Sequence, residues 1–100
     1  MSAFVIGQMN IHSRDWMDAY FSEIPHVVAA HKGRFLVRGG SPERLEGENS
    51  LPDAAFIIAF PDRAHAGAFW NSDAFQKLAV LRRSGSTLNA ILVDGLDQNG

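Results

Sequence analysis

Apolar residues occupy both parities at the start of Ala3–Ile11 (AFVIGQMNI), and one parity then turns polar at Gln8, Asn10 and His12. The pattern predicts a strand buried on one face, with its other face growing wetter toward the C-terminal end. Trp16, Met17, Tyr20, Phe21, Ile24, Val27, Val28 and His31 then recur at helical spacing as one broad apolar stripe. Ser13 is the expected N-cap, and Asp15 suits the positive end of the helix dipole. Pro25 lacks a backbone donor and crowds the preceding turn, which predicts a kink or short break near residues 22–25. Gly33 fits the residue just past the helix end, where a left-handed conformation is common.

Residues 34–38 (RFLVR) read as a second strand, with Phe35 and Val37 on one face and Arg34, Leu36 and Arg38 on the other. Gly39, Gly40, Ser41 and Pro42 predict a turn or bulge, residues 44–47 a short resumed strand, and residues 48–53 a loop. Ala54–Phe60 (AAFIIAF) is the most apolar strand; Pro61 stops it and Asp62 caps a helix over Arg63–Trp70. Asn71, Ser72 and Asp73 form a second capping signal, so the helix restarts there and continues to Arg83, with Phe75, Leu78, Ala79 and Leu81 as its apolar side. Gly85 ends it. Residues 87–93 (TLNAILV) make the fourth strand, and residues 94–100 read as a frayed tail. The order β-α-β-β-α-β is the ferredoxin-like split βαβ arrangement, an α+β fold with two helices on one face of a four-stranded antiparallel sheet. The other sheet face is bare, yet Phe4, Ile6, Phe56, Ile57 and Ile58 make these strands apolar on both parities. A second copy of the chain, packed sheet to sheet, is the expected cover. Its interface would exceed about 1,000 Å².

Composition narrows the chemistry. One hundred residues and 11.0 kDa predict one domain. A net charge of −2 leaves no electrostatic footprint for nucleic acid or an anionic membrane. With no cysteine, disulfides, thiolate metal sites and cysteine nucleophiles are excluded together. No transmembrane run or signal-peptide pattern is visible, which makes the cytoplasm the default location. His12, His26, His31 and His65 show no metal-ligand spacing, and no phosphate- or dinucleotide-binding motif occurs, so neither a metal nor a cofactor is expected.

Three segments are distinctive: residues 33–40 (GRFLVRGG), the Phe60-Pro61 step, and residues 69–75 (FWNSDAF). With the opening Ala3-Phe4-Val5-Ile6 and the closing Val93-Asp94-Gly95, they strongly resemble the domain-of-unknown-function 1330 family over nearly the whole chain. The resemblance implies the dimeric α/β-barrel superfamily, in which two ferredoxin-like sheets close into one barrel. Relatives of that fold include cofactor-independent monooxygenases, muconolactone isomerases and haem-degrading enzymes. The chain departs from the family pattern at Ala59, where a glutamate is common, and at Gln8, where a histidine is common.

Five residues are candidates for ligand binding. Arg38 precedes two glycines at a strand end, where a guanidinium can hold a carboxylate or enolate in a forked pair. The structural alternative is an ion pair with Glu43, Glu46 or a partner chain. Gln8 and Asn10 are polar groups poised in the cavity if their parity faces the barrel interior; the alternative puts Asn10 with His12 at the solvated end of the strand, and His12 is read as surface. Trp70 and Ser72, beside Asn71, would wall a pocket or, on the structural reading, pack and cap. Two functions fit: a homodimer binding a small carbonyl or carboxylate compound, with Arg38 and Gln8 as the candidates for any cofactor-independent catalysis, or a non-catalytic dimerisation module.

Overall fold

In the computed structural model, which describes residues 2–96, the order is β1 (Ala3–Ile11), α1 (Met17–Ala30), β2 (Arg34–Gly39), β3 (Ala54–Phe60), α2 (Arg63–Trp70), α3 (Asp73–Arg83) and β4 (Ser86–Asp94). The four strands form an antiparallel sheet ordered β2-β3-β1-β4. This is the ferredoxin-like α+β fold, with the second helix delivered in two pieces as the capping signals foretell. Val5 pairs with Ile58 and with Leu92, so odd positions of β1 and even positions of β3 and β4 share one face. That face meets the helices. Trp16, Ile24, Val28 and Phe69 are the largest side chains sealed between the layers.

Several local expectations are corrected. Ser13 does not cap α1; Trp16 occupies the N-cap without a side-chain bond, and its indole Nε1 donates to Ser13 O at 2.7 Å. Asp18, rather than Asp15, is the acid in the first turn. Pro25 does not break α1, which runs unbroken from Met17 to Ala30. The left-handed residue after α1 is Lys32, with φ 62°, while Gly33 follows it. Lys32 N donates to Ala29 O and Gly33 N to Val28 O, the paired bonds of a Schellman ending displaced one residue from the expected register. Gly33 is instead small because a Cβ there would stand 2.5 Å from the Phe60 ring.

Residues 44–47 form no strand. The Arg44 guanidinium donates to Gly47 O and Asn49 O, and these local bonds curl the segment away from any partner strand. Asp94, expected in a frayed tail, belongs to β4, and Gly95 N donates to Ser2 O at 2.7 Å. Residues 97–100 of that predicted tail lie outside the described residues. No helix among the described residues is long and apolar enough to cross a membrane.

The sheet face away from the helices carries Phe4, Ile6, Ile57, Val37 and Ile91, with Ile91 61 % exposed. Phe56 and Ile58 point the other way, into the helix side. The double-sided apolarity of β1 and β3 is therefore real, and three of the five residues that suggested it lie on the open face.

Candidate functional site

A cavity of about 590 Å³ lies between the helices and the sheet. Its walls are aromatic because the two helical segments each turn a ring cluster inward. On α1, the Tyr20 ring stands edge-on to Trp16 and to Phe21, with 5.3 Å between centres in each case. Across the cavity, Trp70 and Phe75 pack 4.7 Å apart. Met9, Phe56 and Ile58 line the sheet side. The exposed lining residues Arg14, Arg38, Gly40, Ser41 and Asp53 mark the mouth; buried ones, among them Trp16, Tyr20, Ile24, Phe75 and Arg82, mark the interior.

Arg38 reaches the mouth through an irregularity. In β2, Phe35 pairs with Ile58 but Val37 pairs with Ile57, so Leu36 is an unpaired extra residue, a β-bulge. The parity flips there. Arg38 consequently shares the helix-facing side with Phe35, contrary to the alternation expected of a regular strand. Its guanidinium lies 5.7 Å from the Phe21 ring and 5.5 Å from the Phe35 ring. The ion pairs among the described residues are Arg63–Asp94 and Asp62–His65, so neither Glu43 nor Glu46 engages Arg38. Gly39, Gly40 and Ser41 follow with φ of 91°, 75° and 46°, a left-handed run that turns the chain away from the sheet and leaves bare backbone at the mouth. Opposite, Asp53 closes its loop onto β1: its carboxylate accepts from Ile11 N at 2.7 Å and its own N–H donates to Met9 O.

The interior holds a cation that sequence reasoning missed. Arg82 is 2 % exposed, and its Nε and Nη1 have no hydrogen-bond partner among the described residues. It lines both the cavity and a groove along β4, and its guanidinium carbon lies 6.0 Å from the Phe75 ring. Burial pulls its pKa down, while the Tyr20 phenol opposes that shift; burial likewise pushes Tyr20 up, against the pull of Arg82. The signal was available. Phe75, Ala79 and Arg82 stand at i, i+4 and i+7, so the apolar stripe of α3 carries the arginine inward.

The other predicted residues divide. Trp70 lines the cavity with Arg38. Ser72 is the N-cap of α3: its hydroxyl accepts from Phe75 N at 3.2 Å and donates to Phe69 O at 2.7 Å, while Asn71 closes α2. Gln8 and Asn10 are exposed on the open sheet face, opposite Asn89 and Thr87 of β4. His12 joins that polar end through Nε2 and Thr87 Oγ1 at 2.8 Å. Arg38 and Gln8 thus lie on opposite faces of the sheet, because the bulge turns Arg38 inward while β1 alternates regularly. Among the described residues, no three His, Cys, Asp or Glu side chains converge as metal ligands would.

The architecture has close structural counterparts. A protein of unknown function from Rhodopseudomonas palustris, RPA0582, superposes with a TM-score of 0.79 at 14% identity, over 96% of this chain and 83% of its own. A dimeric ferredoxin-like protein of unknown function from Jannaschia sp. CCS1 gives 0.74 at 12% identity, covering 95% of this chain and 100% of its own. SnoaB from Streptomyces nogalater, a cofactor-independent oxygenase, gives 0.66 at 14% identity, covering 97% and 95%. No curated protein matches the chain in sequence. The family model for a domain of unknown function, DUF1330, matches residues 2–96, and the chain belongs to that family.

Proposed function

We propose that this protein is a homodimer that binds a small organic carbonyl or carboxylate compound in the cavity between its helices and its sheet. The observation that carries the reading is the cavity itself. Its volume of about 590 Å³ falls within the range of small-ligand sites, its walls are aromatic, and few polar groups interrupt them. Arg38 stands at the mouth with no carboxylate partner among the described residues, which suits it to meeting an incoming anion. This relocates the expected site from the sheet-to-sheet barrel to the helix side, and leaves Gln8 and Asn10 to the open face.

The dimer rests on that open face. Phe4, Ile6, Val37, Ile57 and Ile91 form an apolar surface that the helices do not reach, and the Jannaschia counterpart is described as dimeric. The likeness to SnoaB supports, at the level of fold, a further step in which the bound compound is turned over without a cofactor.

A thermal-shift screen of metabolite carboxylates, aldehydes and ketones tests the reading. A compound that binds the native state at about 100 times its Kd stabilises it by ~2.7 kcal/mol, a rise in Tm of more than 10 °C for a chain of this length. A screen without a single shift would leave the non-catalytic dimerisation module as the standing alternative.

A further inference from the structure

We propose that Arg82 is the anion seat at the inner end of the cavity, and that the ligand class is an aromatic monocarboxylate whose rings lie among Trp16, Tyr20, Trp70 and Phe75. The inference deepens the small-carboxylate reading above and rests on it. A guanidinium carries five donors in a fixed fork, and a buried cation is strongly disfavoured unless those donors are met. Here two of the three guanidinium nitrogens are sealed from water and meet no hydrogen-bond partner among the described residues. The last turn of α3 offers its negative dipole end, which eases the charge without satisfying a donor. The Arg82 carbonyl is already used, accepting from Ser86 Oγ and Gly85 N, so the backbone is held while those side-chain donors are unmatched among the described residues.

The partner that completes such a group is a planar carboxylate, which matches the fork with two parallel bonds. The walls select what is attached to it. Rings from α1 stand on one side and rings from α2 and α3 on the other, a spacing suited to a flat apolar body. A cavity of about 150 Å³ holds one benzene, so the space here accommodates roughly two or three fused or linked rings. One inner seat with a polar mouth points to one deep carboxylate rather than two.

The test pairs 2-naphthoate with its neutral amide, 2-naphthamide, titrated into the full-length wild-type chain and into Arg82→Met and Arg82→Lys. Binding is read by calorimetry and by the Arg Nε–Hε and Met methyl NMR signals. The seat predicts a marked shift of the Arg82 Nε–Hε signal in wild type with naphthoate. It also predicts at least about tenfold weaker naphthoate binding in Arg82→Met, partial recovery in Arg82→Lys, and amide binding within about twofold across all three. The wild-type NMR arm stands even if a variant fails to fold. If acid and amide bind wild type alike and the Arg82 signal stays still, the seat is overturned and the cavity reading survives. If neither compound moves the Met9 or Met17 methyls that line the cavity, the ligand reading falls and the seat falls with it.

Discussion

The Arg38 guanidinium carbon lies 5.5 Å from the centre of the Phe35 ring, although residues three apart on a regular strand point to opposite faces. The unpaired Leu36 between them resolves the contradiction, since one extra residue on β2 reverses the parity of everything after it. The bulge is therefore the device that aims Arg38 at the cavity mouth. Beyond it the ladder resumes, with Arg38 opposite Phe56 and Gly39 opposite Ala55.

Deleting Leu36 tests that account. The shortened strand would pair Phe35, Val37 and Arg38 with Ile58, Ile57 and Phe56 in an uninterrupted register, so Arg38 keeps its face. The expected outcome is a folded protein whose Arg38 side chain still shows NOE contacts to the Phe21 ring. Loss of the contacts in the deletion variant would contradict the register in which Leu36 is the one unpaired residue between Phe35 and Val37.

The end of α1 makes a second prediction, with opposite signs at neighbouring positions. Lys32 holds φ 62°, a conformation that costs a non-glycine residue roughly 1 kcal/mol, so Lys32→Gly should raise Tm by several degrees. Gly33→Ala should lower it, because the added Cβ would meet the buried Phe60 ring at 2.5 Å. A cost of about 1–3 kcal/mol is expected, measured by thermal denaturation. Equal effects of the two substitutions would contradict the displaced ending.

These cases mark where the sequence is legible. Strand and helix order is readable because period-two and period-3.6 patterns persist over β1, β3, α1 and α3, and the Asp62 and Ser72 caps announce α2 and α3 in advance. Parity within β2 is not readable, since RFLVR carries apolar and basic residues in a sequence that fits either register. A bulge depends on the partner strand, which lies 20 residues away. The Gly33 assignment misses for the same kind of reason: the Phe60 ring that demands a small residue belongs to another strand. Of the site, Arg38 and Trp70 were visible as unusual residues at element ends. Arg82 was hidden in plain spacing, because a basic residue in a last turn also suits the helix dipole and draws no further notice.

Acid sensitivity provides a third prediction. The Asp62 carboxylate accepts from His65 N at 2.8 Å and from His65 Nδ1 at 2.7 Å, and these bonds hold its pKa below the ordinary aspartate range. A depressed folded pKa means that the cap contributes fully above the unfolded value, near pH 4, and loses its contribution as pH falls through the lower folded value. Asp62→Asn keeps a capping oxygen without the titration, so its Tm should decline less steeply than wild type below about pH 4. Asp62→Ala should melt lower at neutral pH. Parallel Tm profiles for wild type and Asp62→Asn in acid would sink the assignment.

The open face predicts association. Light scattering at micromolar concentration should give twice the chain mass, and Ile91→Glu should give a folded monomer. Ile91 is the appropriate position because it is largely exposed in the single chain, so a charge there disturbs the partner surface and not the core. A wild-type monomer, or a dimer indifferent to Ile91→Glu, would exclude the sheet-to-sheet arrangement.

Arg38 and Arg82 line one cavity but differ in depth, and that difference is measurable. Arg38 is exposed, carries no ion pair among the described residues, and rests on Phe21 and Phe35, contacts worth about 0.5–1 kcal/mol at such a site. Arg38→Met retains an apolar stem for the same rings, so Tm should fall by no more than a few degrees. Its charge at the mouth acts on an approaching carboxylate through water, where interactions are screened over about 10 Å at 0.1 M salt and about 3 Å at 1 M. The substitution should therefore weaken 2-naphthoate binding several-fold at low salt, mainly by slowing association, and have little effect near 1 M. Arg82→Met, acting on a seat shielded from the solvent, should weaken it to a similar extent at both salt concentrations. Stopped-flow fluorescence of Trp16 and Trp70 on mixing with naphthoate separates the two, since both indoles border the cavity. A salt-independent loss in Arg38→Met would place that guanidinium in direct, desolvated contact with the ligand and reverse the assignment of mouth and seat.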